Sequence, residues 1–272
     1  PLKGGSLLKK VRFRTLLVWS FLTLFAAGFI MRGHGWYAPW LFTARVQVFP
    51  ALLRWGGTVM LFAGMALLAG RFYCSLLCPL GLFQEVVHGL GGRRLPGYRR
   101  GRPIRYLVLA AVIVSMAAGS LWILNLLDPF AVFGKGVTQI LKPLLVSANN
   151  LAASIPGEPG RFLHHLPAAP VTGTAFFSTA LFFCALGAWA IVQGRPFCDA
   201  LCPVGTLLGL FSSSPLVSVR FDADTCSGCG LCDRTCPTGC LSSSDLRVEH
   251  ERCVLCLSCL EACRNGALRL GT

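Results

Sequence analysis

Eight cysteines near the C-terminus have the spacing of iron–sulfur ligands. They form two runs, Cys226-x2-Cys229-x2-Cys232-x3-Cys236-Pro237 and Cys253-x2-Cys256-x2-Cys259-x3-Cys263. In bacterial proteins with this pattern and two [4Fe-4S] cubes, three thiolates of one run and the fourth thiolate of the other run bind each cube. The predicted ligand sets are therefore Cys226, Cys229, Cys232 and Cys263 for one cluster, and Cys253, Cys256, Cys259 and Cys236 for the other.

Small residues in these runs, Gly228, Gly230 and Ser258, are expected to let the backbone N–H groups approach the sulfurs. Disulfides are the first alternative, and a reducing cytoplasmic location disfavours them. Zinc is the second, but zinc sites use separated CxxC pairs rather than triplets that share a fourth ligand. Cys240, in "CPTGC", and Cys184, in "LFFCALGAW", are interpreted as small buried apolar residues.

A second cysteine motif occurs twice, each time just after an apolar run. It reads "GRFYCSLLCPLG" from Gly70 to Gly81 and "GRPFCDALCPVG" from Gly194 to Gly205. On a helix, two cysteines four residues apart share one face. Two copies in the same orientation suggest a parallel tandem repeat, in which Cys74, Cys78, Cys198 and Cys202 converge. Four thiolates could bind a third iron–sulfur cluster or a soft metal such as Cu(I). Redox dithiols and purely structural thiols remain open alternatives.

Each copy of the motif also contains an arginine, Arg71 or Arg195. These two side chains could be ordinary positive anchors at the cytoplasmic membrane interface. The alternative is that they offset the negative charge of thiolate-bound iron.

The elements that position these cysteines are predicted to be membrane helices. Of 272 residues, 54% are hydrophobic and 13% are charged, and the mean hydropathy is +0.63, values typical of a membrane protein. A helix needs about 20 apolar residues to cross the bilayer core. The predicted spans are Thr15 to Met31, Pro50 to Gly70, Ile104 to Leu126 and Thr174 to Gln193. The first span could be a signal peptide, but no clear cleavage site follows it, and we expect a retained anchor.

Most Lys and Arg residues lie in the N-terminal segment, the loop after the second span and the C-terminal tail. The positive-inside rule then predicts a multi-pass protein of the bacterial inner (cytoplasmic) membrane with both termini cytoplasmic. The net charge of +14 does not indicate nucleic-acid binding, because the basic residues cluster beside apolar runs. The predicted fold is a membrane all-α four-helix bundle, a parallel tandem repeat of two helix pairs, over residues 1–217. A small α+β ferredoxin domain with two [4Fe-4S] clusters follows over 218–272.

The four spans, the motifs "CSLLCP" and "CDALCP" and the two-cluster segment together resemble the NapH-type membrane iron–sulfur subunits of quinol dehydrogenases. The wider group includes NosR-type and CcoG-type proteins, which carry additional domains that we do not expect here. The resemblance implies a membrane electron-transfer subunit of a respiratory complex, which exchanges electrons between the quinone pool and partner redox subunits. It implies iron–sulfur or cytochrome partners, surrounding lipid, and quinol as the substrate. It leaves the terminal acceptor and the direction of electron flow open.

We therefore expect a subunit of a quinol dehydrogenase, an oxidoreductase, with no separate small-molecule active site. Two alternatives are a protein that binds and reduces copper through the CxxxCP thiolates, and a membrane anchor for a soluble iron–sulfur partner. A quinol site needs a proton acceptor near a redox centre, and Asp128 and His88 are the leading candidates. Asp128 could instead cap a helix, and His88 could be solvated at the interface. The segment from Asn125 to Gly173 is expected to be an outer loop with one apolar helical stretch, broken at Pro143.

Overall fold

A computed structural model describes residues 19–20, 22–24, 26–27, 30, 56–91, 95–99, 101, 103–154, 165–167 and 171–271. Most of the first predicted span lies outside these residues. The helices are α1 (Gly56–Ala69), α2 (Tyr73–Leu76), α3 (Pro79–Gly91), α4 (Ile104–Ala117), α5 (Trp122–Leu127), α6 (Pro129–Gly136), a π-helical turn (Val137–Leu141), α7 (Lys142–Ala153), α8 (Gly173–Gln193), α9 (Pro196–Ala200), α10 (Pro203–Phe211), α11 (Leu231–Thr235) and α12 (Ser258–Ala262). The strands are β1 (Ser218–Phe221), β2 (Leu241–Ser242), β3 (Arg247–Val248) and β4 (Leu268–Gly271).

One helix in the described part of the chain, α8, is long and apolar enough to cross a membrane. It contains no charged residue, and its bounds agree with the fourth predicted span. Large apolar side chains on α8 point away from the protein, among them Phe177 and Leu181. Cys184 is also exposed on this helix, so the interpretation of Cys184 as a buried residue was wrong.

The third predicted span is not one continuous helix. The helix α4 ends at Ala117, Gly119 adopts a left-handed backbone with φ of +78°, and α5 begins at Trp122. Glycine tolerates this conformation because it has no Cβ. The chain then returns to the protein core, where Leu124 of α5 is buried.

In the segment predicted as an outer loop, residues 129–153 are helical, so the expected helical stretch is longer than predicted and is not broken at Pro143. The helix α6, the π-helical turn and α7 follow one another without a break, and Pro143 lies in the first turn of α7 rather than ending a helix. Thr179 of α8 lies within hydrogen-bonding range of Gln139, and Phe183 packs where Gly136 has no side chain. Earlier residues of this segment therefore contact later residues of α8, so the two run antiparallel.

The C-terminal segment is small, and two short antiparallel pairs frame it. Strand β1 pairs with β4, with Ser218 opposite Gly271, and β2 pairs with β3. The segment is packed directly on the helical part. Just before β1, the N–H groups of residues 216 and 217 donate to the carbonyls of Leu67 and Leu68 at the end of α1. Val254 and Cys256 belong to the same apolar core as residues of α2 and α8.

Candidate metal centres

Two cavities in the C-terminal segment are lined by the predicted ligand sets. Cys226, Cys229, Cys232 and Cys263 line one, which we call the outer cavity. Cys253, Cys256, Cys259 and Cys236 line the other, which we call the inner cavity. In the outer cavity Cys229 is exposed, whereas in the inner cavity Cys236, Cys256 and Cys259 are all buried. Cys240 is buried as expected, and it also lines the inner cavity, with its Sγ 3.6 Å from the Sγ of Cys236.

The two CxxCxxC loops share one backbone shape but differ in sequence. Gly228 and Gly230 of the first loop have positive φ, at +66° and +68°. The equivalent residues of the second loop are Leu255 and Leu257, with φ of +49° and +63°. A left-handed conformation costs a non-glycine residue roughly 1–2 kcal/mol. The second run thus keeps the loop shape at a cost in backbone strain. The leucines at these two positions gave no sign in the sequence of a left-handed backbone.

The structure brings Cys74, Cys78, Cys198 and Cys202 together in one buried place, which we call the four-cysteine site. Proline begins the helix after each motif, Pro79 for α3 and Pro203 for α10, where the missing N–H costs nothing. Gly81 is needed because a Cβ there would lie 2.7 Å from the carbonyl oxygen of Cys74. Gly205, its equivalent in the second copy, would place a Cβ 2.9 Å from the carbonyl oxygen of Cys198.

Two buried arginines link the copies crosswise. Arg71 of the first copy donates from Nη2 to the carbonyl oxygen of Cys198 at 2.8 Å, and Arg195 of the second donates from Nη1 to that of Cys74 at 2.8 Å. An anchor at the membrane interface would keep its guanidinium in water, but both side chains are fully buried. Each also has a buried Nε without a hydrogen-bond partner. Buried positive charge of this kind favours a negatively charged occupant.

Burial and mutual repulsion raise the pKa of three of these four thiols. Burial and the neighbouring Cys74 raise the pKa of Cys198 to about 11, against the opposing effect of Arg195 and Arg71. Burial and the other thiols also raise the pKa of Cys78 and Cys202. Four bare thiolates are therefore disfavoured, and binding of a metal would displace their protons.

Hydrogen-bond donors already point at two of these sulfurs. Gln84 donates from Nε2 to Cys198 Sγ at 3.3 Å, and the N–H of Gly205 donates to Cys202 Sγ at 3.3 Å. Within the described ranges, no three metal-ligating side chains are close enough to hold a single ion. Four cysteine thiols are the donor set that a [4Fe-4S] cluster takes, so the chemistry of these residues fits such a cluster.

The inner cavity lies against both copies of the motif. Gly70, the first residue of one copy, lies beside the carbonyl of Cys253, and a Cβ at that position would be 3.7 Å from this oxygen. Gly194, the first residue of the other copy, has φ of +81°, and a Cβ there would be 2.5 Å from the carbonyl oxygen of Pro237. The N–H of Arg195 donates to the same oxygen at 2.9 Å. Cys253, a predicted ligand of the inner cavity, and Pro237, the neighbour of the predicted ligand Cys236, therefore lie against the first residues of the two motif copies.

One side chain joins these parts. Arg252 donates from Nε and Nη2 to the two carboxylate oxygens of Asp199, at 2.7 and 2.8 Å, and Asp199 lies inside the second CxxxCP motif. Nη2 also donates to the carbonyl of Thr238 at 2.6 Å, and Nη1 donates to Glu249 at 2.8 Å. A further contact reaches the carbonyl of Arg99. A bidentate, charge-assisted pair of this kind fixes geometry as well as contributing energy.

The two predicted quinone-site residues differ in burial and in hydrogen-bond partners. Asp128 is buried and caps α6 by accepting from the N–H groups of Phe130 and Ala131, while its Oδ1 has no hydrogen-bond partner among the described residues. Burial raises the pKa of Asp128 to about 6. His88 of α3 is half-buried, and its Nδ1 donates to the carbonyl of Ile191 at 3.1 Å.

Asp128 lies beside the first CxxxCP motif. The ring of Phe130 is 6.5 Å from that of Tyr73, which directly precedes Cys74, and the charge of Asp128 acts on Tyr73. The bilayer core is about 30 Å thick, so residues this close cannot lie on its opposite faces. The topology that placed Asp128 outside and Cys74 inside was therefore wrong in this respect.

Comparisons with known proteins agree with the iron–sulfur assignment. A family described as a 4Fe-4S binding domain matches residues 52–97 and 175–221, and a second 4Fe-4S binding domain family matches residues 219–242. The first matches include both CxxxCP motifs. No solved structure matches the chain.

Several curated relatives match at low identity. The ferredoxin-type protein NapH of Escherichia coli is 23% identical over 82% of this chain and 69% of its own. The methylamine utilization ferredoxin-type protein MauN of Paracoccus denitrificans is 27% identical over 69% of this chain and 54% of its own. The protein MJ0749 of Methanocaldococcus jannaschii is 35% identical over 26% of this chain and 28% of its own. The chain thus spans about half of MauN and about a quarter of MJ0749. The chain therefore contains regions similar to 4Fe-4S binding domains and is related at low identity to NapH and MauN.

Proposed function

We propose that this chain is the integral-membrane electron-transfer subunit of a respiratory complex, which passes electrons between quinol and partner redox subunits through three centres in line. The order is the four-cysteine site, the inner cavity and the outer cavity. The observation that carries the proposal is the contact of both CxxxCP copies with residues flanking the ligands of the inner cavity.

The membrane location is supported by the surface of the helical part. Leu107 and Val114 of α4 and Phe177 and Leu181 of α8 are each about two-thirds or more exposed. A protein surrounded by water rarely exposes many large apolar side chains on neighbouring turns of its helices. Surrounded by lipid, the same side chains need no polar partner.

A third [4Fe-4S] cluster at the four-cysteine site, when bound, would supply one-electron transfer between quinol and the two ferredoxin clusters. The chain's own residues prepare this site. Arg71 and Arg195 place positive charge beside the sulfurs, Gln84 and the Gly205 N–H donate to them, and burial excludes water. Positive charge and hydrogen bonds near the sulfurs favour the reduced form and so raise the potential.

Quinol oxidation also releases protons, and Asp128 is the best-placed acceptor. Its free Oδ1 and its pKa of about 6 suit a carboxylate that gains and loses a proton near neutral pH. Tyr73 belongs to the first motif, and the charges of Asp128 and Cys78 both act on it. We propose that a quinol headgroup binds beside Asp128 and Tyr73.

The test is anaerobic reduction of the purified full chain in detergent with a menaquinol analogue, followed by absorbance and EPR, with iron and copper quantified on the same sample. We expect about twelve iron atoms per chain, the content of three four-iron cubes, and reduction by the quinol. Iron sufficient for two cubes would remove the third centre. Copper bound in its place, and lost in Cys74→Ser and Cys198→Ser variants, would favour the metal-handling alternative.

Quinol specificity needs its own control. The Asp128→Asn variant should retain its iron and its reduction by dithionite, while its reduction by the quinol analogue slows. In the wild-type chain, dithionite could reduce the clusters while the quinol analogue does not. That result would contradict the proposal that quinol donates electrons to the isolated subunit.

A further inference from the structure

The two copies of the motif are followed by different residues at one equivalent position. Glu85 follows the first motif at the position where Gly209 follows the second. Glu85 forms an ion pair with the fully buried Arg195 and is itself 30% exposed. Among the described residues, Arg71, the equivalent of Arg195, forms no ion pair with a carboxylate, although the charge of Asp199 acts on it. Its Nη1 donates instead to the carbonyl oxygen of Glu251, at 3.3 Å.

Arg71 can bind the Glu251 carbonyl instead of a carboxylate because residue 209 is a glycine. A Cβ at residue 209 would lie 2.8 Å from the carbonyl oxygen of Glu251 and 3.8 Å from Cδ of Arg71. The C-terminal segment therefore occupies, on the second copy, the space that a side chain occupies on the first. On one side, the C-terminal segment that contains the inner cavity covers the four-cysteine site. On the other side, the carboxylate of Glu85 reaches water.

We propose that Glu85 takes up a proton from water when the four-cysteine site accepts an electron. This inference rests on the proposed third centre. An added electron places one more negative charge beside Arg195, whose guanidinium lies between Glu85, Cys198 and Cys256. The ionised carboxylate is then stabilised less, because the same cation now faces two anions. The carboxylate becomes a carboxylic acid, the electron from quinol or another one-electron reductant stays on the centre, and the net charge does not change.

Few other groups compete for this role near Glu85. The helix α8, which packs on α3, carries no charged residue. The other neighbouring elements are α2, α6, α9 and the segment after α8. Together with α3 itself, they carry the following charged or titratable groups: His88, Tyr73, Cys74, Asp128, Lys135, Cys198, Asp199 and Arg195. Among them, Lys135 donates to the carbonyl of Asn125, Asp199 is paired with Arg252, and His88 is bound to Ile191. Tyr73, Cys74, Cys198 and Asp128 remain, besides Arg195 itself. The two cysteines belong to the four-cysteine site itself, and the charge of Asp128 acts on Tyr73.

The experiment is a redox titration of the full chain at several pH values, followed by EPR of the third centre. One proton per electron changes the reduction equilibrium tenfold per pH unit, about 59 mV for a one-electron couple. We expect the potential of the wild-type centre to fall with rising pH by an amount approaching this value. In Glu85→Gln the potential should be higher and should not depend on pH.

The matched control is Glu251→Gln. Glu251 is also a part-exposed carboxylate paired with a buried arginine, Arg105, at 2.5 Å, but its side chain is not bound to either motif arginine. This variant should keep the wild-type slope. If Glu85→Gln loses iron, a reduced-minus-oxidised infrared spectrum of the wild-type chain decides instead, since it should show a newly protonated carboxyl group. Asp128→Asn, which should keep that signal, separates the two carboxylates.

The outcomes separate the two proposals. A third centre whose potential does not depend on pH, or whose slope survives in Glu85→Gln, overturns the role of Glu85 and leaves the relay intact. Iron at the level of two cubes overturns the third centre, and with it the role of Glu85.

Discussion

Replacing Arg252 by methionine should detach the C-terminal segment from the second CxxxCP motif. Methionine has a similar length but no donors, so the change removes both bonds to Asp199 and the bonds to Thr238 and Glu249. The side chains of Arg252 and Asp199 are 1% and 9% exposed, so Asp199 would be left as a buried charge without its cation. Removing one partner of such a pair costs about 3–5 kcal/mol.

The same segment offers a matched surface pair. Arg269 and Asp222 are 3.1 Å apart, but the Arg269 side chain is 69% exposed. Because water screens this pair, Arg269→Met should cost about 1 kcal/mol or less. Both variants would be unfolded with denaturant in detergent while the iron–sulfur absorbance is followed, and iron would be quantified before each titration.

A double-mutant cycle makes the argument refutable. If the cost of Arg252→Met comes from stranding Asp199, then adding Asp199→Asn should recover a large part of it, a non-additivity of roughly 1–3 kcal/mol. Additive effects, or a cost of Arg252→Met no larger than that of Arg269→Met, would show that this ion pair does not hold the two parts together. Arg252→Lys should behave more like methionine than like arginine, because one ammonium cannot reproduce the bidentate geometry.

Three further predictions concern single positions. Gly209→Ala should destabilise the docking of the C-terminal segment by about 1–3 kcal/mol, because its Cβ would meet the Glu251 carbonyl; Gly89→Ala in α3, where nothing lies within 4 Å, should be neutral or stabilising in the same denaturation assay. Asp128→Asn should keep the helix cap but flatten the dependence of stability on pH, because the pKa of Asp128 is raised to about 6 in the folded state. The stabilisation that protonated Asp128 gives is present below the unfolded pKa near 4 and is lost as the pH rises to about 6, by up to ~3 kcal/mol. A pH profile as steep as that of the wild type would contradict this. Cys240→Ala should retain the wild-type iron content, whereas Cys236→Ala should lose iron from the inner cavity; iron loss in Cys240→Ala would show that Cys240, not Cys236, is the ligand.

The cysteine chemistry could be predicted from the sequence because ligand spacing is a local property. Eight cysteines in CxxCxxCxxxC runs indicate two cubes whatever surrounds them, and the structure places each predicted set around its own cavity. The repeated motif likewise predicted that Cys74, Cys78, Cys198 and Cys202 converge, since equivalent helices related by an axis bring equivalent residues together. Helix α8 was predictable because a long uncharged apolar run can form little else.

What the sequence could not show were contacts between distant parts of the chain. The bend after Ala117 and the return of the chain to Asp128 depend on which surfaces pack, so hydropathy alone suggested one straight span. The crosswise bonds of Arg71 and Arg195 are made to backbone carbonyls, which carry no sequence signal. The junction at Arg252 depends on a carboxylate, Asp199, that lies 53 residues away in the chain. The sequence alone therefore predicted which cysteines group together as iron ligands. Only the tertiary structure decided that the C-terminal segment packs at Gly209 on one side of the four-cysteine site, while Glu85 lies on the other side. The two sides differ because a side chain fills the space at residue 85 and none fills it at residue 209.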